Sequence, residues 1–127
     1  MAKQRKSTDI DAFGFLIGLK LCAVTFIWDY YQLLIGTEGL SIYSRPKIQF
    51  LHRMLHFGDA GYRDALCERI GAEVVNARDT NEELTIEFSD GTHFVISFRQ
   101  EDRVGGGPES LVAQNGMLVV GDSVPSS

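Results

Sequence analysis

His52 and His56 stand four residues apart, with Asp59 three further on and His93 distant in the chain. On a helix, positions i and i+4 share a face, so two imidazoles and a carboxylate at this spacing offer the nitrogen and oxygen donors that a divalent metal ion takes. The segment 48–57 that would have to be that helix opens on no capping residue, so the competing reading is a linker with partly exposed histidines. His93 has an account of its own: in the hairpin register of residues 84–98 it falls opposite Glu87. A cross-strand charge pair there contributes about 0.2–1 kcal/mol and needs no general base. Gly105, Gly106 and Gly107 suggest a phosphate loop, but such loops work because a helix N-terminus follows and aims its amides at the anion. Here Pro108, Glu109 and Ser110 lead into a strand and no lysine follows, so the stretch reads as a flexible loop. Cys67 stands beside Glu68, an acidic neighbour that disfavours a reactive thiolate. Neither G-x-S-x-G nor H-E-x-x-H occurs. The sequence therefore points to a non-enzymatic protein without a cofactor.

The elements that would position these residues read as mainly antiparallel β with a little helix, an α+β domain of about seven strands. Gly18 and Gly71, 53 residues apart, each follow a short apolar turn (LIG, RIG) and precede a β-prone run. Seventeen residues after each comes a hairpin end, Ile35 or Phe88, and then a glycine-containing turn. This suggests two similar helix-turn plus hairpin halves, 12–46 and 60–99, within one domain spanning 10–121, followed by a C-terminal hairpin. The second helix is predicted over 60–70, capped by Asp59, striped by Tyr62, Leu66 and Ile70, and stopped by Gly71. In the hairpin after it, a two-residue loop would mix apolar and polar faces. A three-residue loop of Ser89, Asp90 and Gly91 gathers Leu84, Ile86, Phe88, Phe94 and Ile96 on one face and leaves Thr85, Glu87, His93, Val95 and Ser97 on the other. Asn115-Gly116 predicts a second tight hairpin, in which Leu111, Ala113, Leu118 and Val120 share a face.

With 127 residues, 12 basic against 17 acidic side chains and a net charge of −5, there is room for one core and little affinity for nucleic acid. Lys3, Arg5 and Lys6 form a basic leader over 1–9, read as disordered, and 122–127 reads as a frayed tail. The most apolar run, Phe15 to Trp28, contains Lys20 and falls short of the ~20 residues a bilayer needs, so no membrane partner is expected. Two cysteines, Cys22 and Cys67, make no disulfide scaffold and fit a reduced, cytoplasmic chain.

Phe26, Ile27 and Trp28 admit two readings. Either the strand runs straight through and the rings fill the core, the commoner arrangement, or the residues crown a hairpin tip. Phe26, Trp28 and Tyr30 would then be hot-spot material for a protein partner. Residues 73–90 carry six carboxylates, Glu82, Glu83 and Glu87 among them, against Arg78 alone, a field that would steer a basic partner.

The L-I-G-like turn, the run E-L-T-I-E-F-S-D-G-T-H-F-V-I-S, G-P-E-S and the last hairpin together resemble small bacterial β-rich domains of unknown function, some of them immunity proteins that neutralise toxins. The resemblance covers 60–120 best and implies a binding role with no catalytic residues. Two function classes follow. One is a small acidic protein-binding domain using Phe26, Trp28, Tyr30, Glu82, Glu83 and Glu87. The other is a small-molecule or metal-binding domain using His52, His56 and Asp59.

Overall fold

The computed structural model describes residues 12–105, 107–113, 116 and 118–121. The leader at 1–9 and the tail at 122–127 lie outside these, as do Gly106 and Asn115. In chain order the elements are a 3-10 turn (Gly14–Leu16), β1 (Leu21–Ile27), β2 (Tyr30–Ile35), β3 (Glu38–Ile42), β4 (Lys47–Gln49) and β5 (Met54–Leu55). Then come α1 (Tyr62–Cys67), β6 (Val74–Asp79), β7 (Glu83–Phe88), β8 (His93–Ser97), a second 3-10 turn (Gln100–Asp102), β9 (Glu109–Ala113) and β10 (Leu118–Gly121). The fold is mainly antiparallel β. Among the described residues no helix is long and apolar enough to cross a membrane.

Local pattern explains the hairpins. Leu84, Ile86 and Phe88 alternate with Thr85 and Glu87, and the turn keeps that parity: Phe88 N–H donates to the Thr92 carbonyl and Gly91 N–H to the Phe88 carbonyl, both at 2.9 Å. Gly91 adopts φ 88°, the left-handed conformation that closes a three-residue loop. Leu84 therefore faces Ile96, Ile86 faces Phe94, and Glu87 faces His93, as the parity requires. On the outer face Val95 is buried, so that face is not wholly solvent-exposed. The Asp90 carboxylate accepts the Thr92 N–H (2.9 Å) and lies 3.2 Å from Arg69 Nε, tying the turn to the end of α1. Burial opposes the ionised form, but the Thr92 hydrogen bonds and the Arg69 charge hold the Asp90 carboxyl below the usual carboxylate range. In β9–β10, Ala113 faces Leu118 and Leu111 faces Val120, the register expected from the sequence.

The strands assemble into two five-stranded sheets, ordered β1-β2-β3-β9-β10 and β5-β4-β8-β7-β6. Leu33, Ile35, Leu40, Ile42 and Leu111 from the first sheet join Ile48, Leu84, Ile86, Phe88, Phe94 and Ile96 from the second in one core. The chain exchanges hairpins between the sheets: β4–β5 leaves β3 and pairs with β8, while β9–β10 leaves β8 and returns to pair with β3.

The sheets also meet at their other ends through reciprocal bonds. Gly18 N–H donates to the Val74 carbonyl (2.8 Å) and Gly71 N–H to the Leu21 carbonyl (2.7 Å); Leu21 N–H donates to Ala72 (3.0 Å) and Val74 N–H to Leu19 (2.8 Å). Each pair interconverts on adding or subtracting 53, and Lys20 and Glu73, also 53 apart, face each other between them. Gly18 (φ 90°) and Gly71 (φ 98°) supply the positive φ that both exchanges need. Neither has an atom within 4 Å of an added Cβ, so alanine meets backbone strain and nothing else. Gly18→Ala and Gly71→Ala should each lower stability by about 1–2 kcal/mol, and by similar amounts, in chemical denaturation.

Three expectations need correction. Among the described residues there are ten strands, not about seven, and two of them form the short hairpin β4–β5 over 47–55, where a linker or a histidine-bearing helix was expected. The helix spans six residues, not 60–70: it begins after Gly61, in the left-handed region at φ 81°, and has no side-chain cap. Asp59 instead accepts the His56 N–H (2.7 Å), and Ile70, past the helix end, is exposed where a third stripe position was expected.

Candidate functional site

Ile27 pairs with Tyr30, so β1 and β2 are joined by a two-residue loop of Trp28 and Asp29. Of the two readings of the aromatic run, the structure takes the hairpin tip. Trp28 is 92% exposed, more than any other large hydrophobic residue among those described. Phe26 is 38% exposed and meets Tyr31 edge-on, ring centroids 4.9 Å apart, and Tyr30 lies half-buried against Tyr43 at 5.3 Å. The three rings are thus not equivalent: two are braced by aromatic neighbours, and the indole projects.

The tip is held from below by the loop that precedes β9. Val104 N–H donates to the Tyr43 carbonyl (2.7 Å), and Gly105, at φ 83°, comes so close to Asp29 that an added Cβ would lie 3.5 Å from its carboxylate. Arg103 Nε donates to Ser110 Oγ (3.0 Å), and Ser110, fully buried, donates to the Phe98 carbonyl (3.0 Å). The residues flanking the glycine-rich stretch are thus bonded to the rest of the fold. Burial, followed by the negative charge of Glu109, raises the Tyr43 phenol above its ordinary pKa and keeps it a neutral donor beside the tip.

Beside the tip opens a groove of about 440 Å³ on the outer face of the second sheet. Arg45 and Val104 belong both to the notch under Trp28 and to this groove, so tip and groove form one continuous surface. Val95 and Ser97 of β8 make the floor. On the β4 side rise Arg45, Lys47 and Phe57; on the β7 side stands Glu83, with Glu82 just before it, and Arg99, Glu101, Asp102 and Arg103 of the segment after β8 complete the lining together with His56. The register explains the division: Lys47 pairs across to Val95 and Glu83 across to Ser97, on opposite flanks of one strand. The Ser97 hydroxyl donates to Asp102 (2.6 Å). Pro46 sits between the two cations, and the Tyr62 hydroxyl donates to its carbonyl at 2.5 Å, fixing the crossover that presents them. Burial drives the Tyr62 phenol pKa far above its ordinary value, so this donor is never lost.

The structure does not treat the acidic residues alike. Glu82 is already engaged by Arg99 at 2.7 Å, and Glu87 lies 3.8 Å from His93, the pair expected from the register. Glu83 is exposed in the groove wall. The hydrogen bond and charge of Glu82 raise the pKa of Arg99 above its ordinary value. As for the metal candidates, the His56 imidazole lies 3.7 Å from Asp59, His52 is exposed in the β4–β5 turn, and His93 is committed to Glu87. Among the described residues no group of three His, Cys, Asp or Glu is placed to hold a metal ion. Arg45, Lys47, Phe57 and Val104 were not singled out from sequence. The available signal was Arg45-Pro46-Lys47, where proline enforces an extended entry and residues two apart share a face.

Compared with protein-family models, curated proteins and solved structures, the chain matches none of them.

Proposed function

We propose that this protein is a small non-enzymatic domain that binds a protein partner across the surface running from the Trp28 tip into the groove between β4 and β7. The observation that carries the reading is the exposure of Trp28 at a two-residue tip whose base merges with that groove. A solvated indole on a tight hairpin has already lost most of its backbone freedom, so docking it into a partner pocket gains a large apolar area at small entropic cost. Phe26 and Tyr30 flank it, and Glu82 and Glu83 supply the acidic flank that favours a basic partner. Glu87 adds to the same field from farther along β7.

The resemblance of residues 60–120 to immunity-type domains supports the same role, with a basic toxin as partner in a reduced, cytoplasmic setting where Cys22 and Cys67 stay free. Nucleic acid is disfavoured because carboxylates line the groove beside the cations. The reading also takes the chain as two similar helix-turn plus hairpin halves closed by a C-terminal hairpin. The reciprocal bonds at a 53-residue offset support this.

The experiment is photocrosslinking from position 28 in the cells that make the protein, with Val119 as the comparison position. Val119 lies on β10, at the opposite edge of the same sheet from β1, and is itself 52% exposed, so bare exposure is controlled.

A further inference from the structure

The groove on the second sheet has a polarity that partner docking at the tip does not require. Its β4 wall holds two half-buried cations. Arg45 lies with its guanidinium 3.8 Å from the centre of the Phe57 ring, an arrangement that fixes the plane of the fork and leaves its N–H edge for a ligand. Lys47, two residues on, points from the same face of the same extended segment. Among the described residues neither has a carboxylate within ion-pair distance, although Arg69 and Arg99 do. Placing two like charges side by side, partly out of water, is unfavourable unless an anion offsets them. Of the lining carboxylates, Glu82 is taken by Arg99, Asp102 accepts the Ser97 hydroxyl, and Glu83 stands across β8. Two strand spacings and a two-residue stagger put the Cα atoms of Lys47 and Glu83 about 12 Å apart, too far to neutralise Lys47 directly.

We infer that the Arg45–Lys47 wall is a seat for a single oxyanion group, a carboxylate or a phosphate, carried by a small molecule lying over the Val95–Ser97 floor. The Arg45 fork accepts two oxygens side by side and Lys47 closes on the third direction as a point charge. Glu83 across β8, with Glu101 and Asp102 also lining the groove, restricts the class: a ligand with one anionic group and a neutral or cationic remainder fits, and a polyanion meets repulsion. This inference stands on the groove alone and does not depend on the Trp28 tip.

The test is a titration of the full-length ¹⁵N-labelled protein with inorganic phosphate and, separately, with acetate, at constant ionic strength, followed by amide chemical shifts. Saturable shifts confined to residues 45–47, 56–57 and 95–97 are expected, with millimolar affinity. Saturation by phosphate alone assigns a phosphate group, and by acetate alone a carboxylate. Lys47→Gln, which leaves the Arg45–Phe57 stack in place, should weaken the response about five-fold or more, and Glu83→Gln should strengthen it. Linear, unsaturable shifts with both ions, saturation undiminished in Lys47→Gln, or tighter binding of a polyanion such as heparin would each overturn the assignment.

Discussion

Trp28→Ala should weaken binding of the proposed partner by about 30-fold or more while leaving stability within about 0.5 kcal/mol of the unmodified protein. Both halves of that expectation come from exposure. A ring 92% open to solvent contributes almost no buried area to the fold, so its removal costs the core nothing. The same ring, once docked, removes its whole apolar face from water in the complex. The loss should appear mainly as faster dissociation, because the indole makes short-range contacts and adds no charge. Substituting Glu82, Glu83 and Glu87 together by glutamine acts on the other rate: it reduces the acidic field and slows association with a basic partner, an effect that shrinks as salt rises. Surface kinetics at two ionic strengths separate the two. Equal rates for both variants and the unmodified chain would remove the tip and the acidic flank from the interface.

Phe94→Ala has the largest expected effect on the fold itself. Phe94 is fully buried on β8, opposite Ile86 on one side and Ile48 on the other, and its ring meets Phe88 edge-to-face with centroids 4.8 Å apart. It stands where the exchanged hairpin β4–β5 joins the second sheet, so the cavity it leaves loosens that junction as well as a core contact. Truncation should cost about 3–5 kcal/mol and lower the melting temperature by roughly 10–20 °C, a large fraction of the stability of a domain this size. Thermal and urea denaturation read it directly. A change below about 1 kcal/mol would mean that β8 does not carry the core as described.

How far the sequence revealed this architecture depended on whether the deciding information was local. The β7–β8 turn was legible because a single parity gathers Leu84, Ile86, Phe88, Phe94 and Ile96 on one face, and Gly91 is the residue a left-handed loop position selects. The β9–β10 register, with Ala113 facing Leu118, was legible from the sequence in the same way. Strands β4 and β5, with three and two residues, are too short for alternation to appear, and their partner β8 lies far along the chain. Alternation says which residues share a face and is silent on which strand becomes the neighbour, so the exchange of hairpins between sheets had no sequence signature.

The candidate site was legible in the same uneven way. Trp28 was ambiguous because Phe26-Ile27-Trp28 reads as an unbroken β run, and Trp-Asp in a two-residue loop lacks the glycine or asparagine that announces such turns. Glu82 and Glu83 were found from charge density alone, and the legible β7–β8 hairpin brings Arg99 within 2.7 Å of Glu82. The histidine spacing invited a helix with both imidazoles on one face, whereas residues 47–55 form the β4–β5 hairpin, with His52 exposed in its turn. Arg45 and Lys47 entered the site through the crossover between sheets, a tertiary event held by Tyr62 and the Pro46 carbonyl.

The most direct measurement of the central claim is the position dependence of crosslinking in the source cells. With a photoreactive residue at position 28, one dominant adduct to another protein is expected, and it should fall off in the presence of the Glu82/Glu83/Glu87→Gln changes. The probe at Val119 should give no such adduct. If position 28 yields nothing above background while Val119 or another surface position captures a defined protein, the partner surface lies elsewhere and the Trp28 tip is not the binding site.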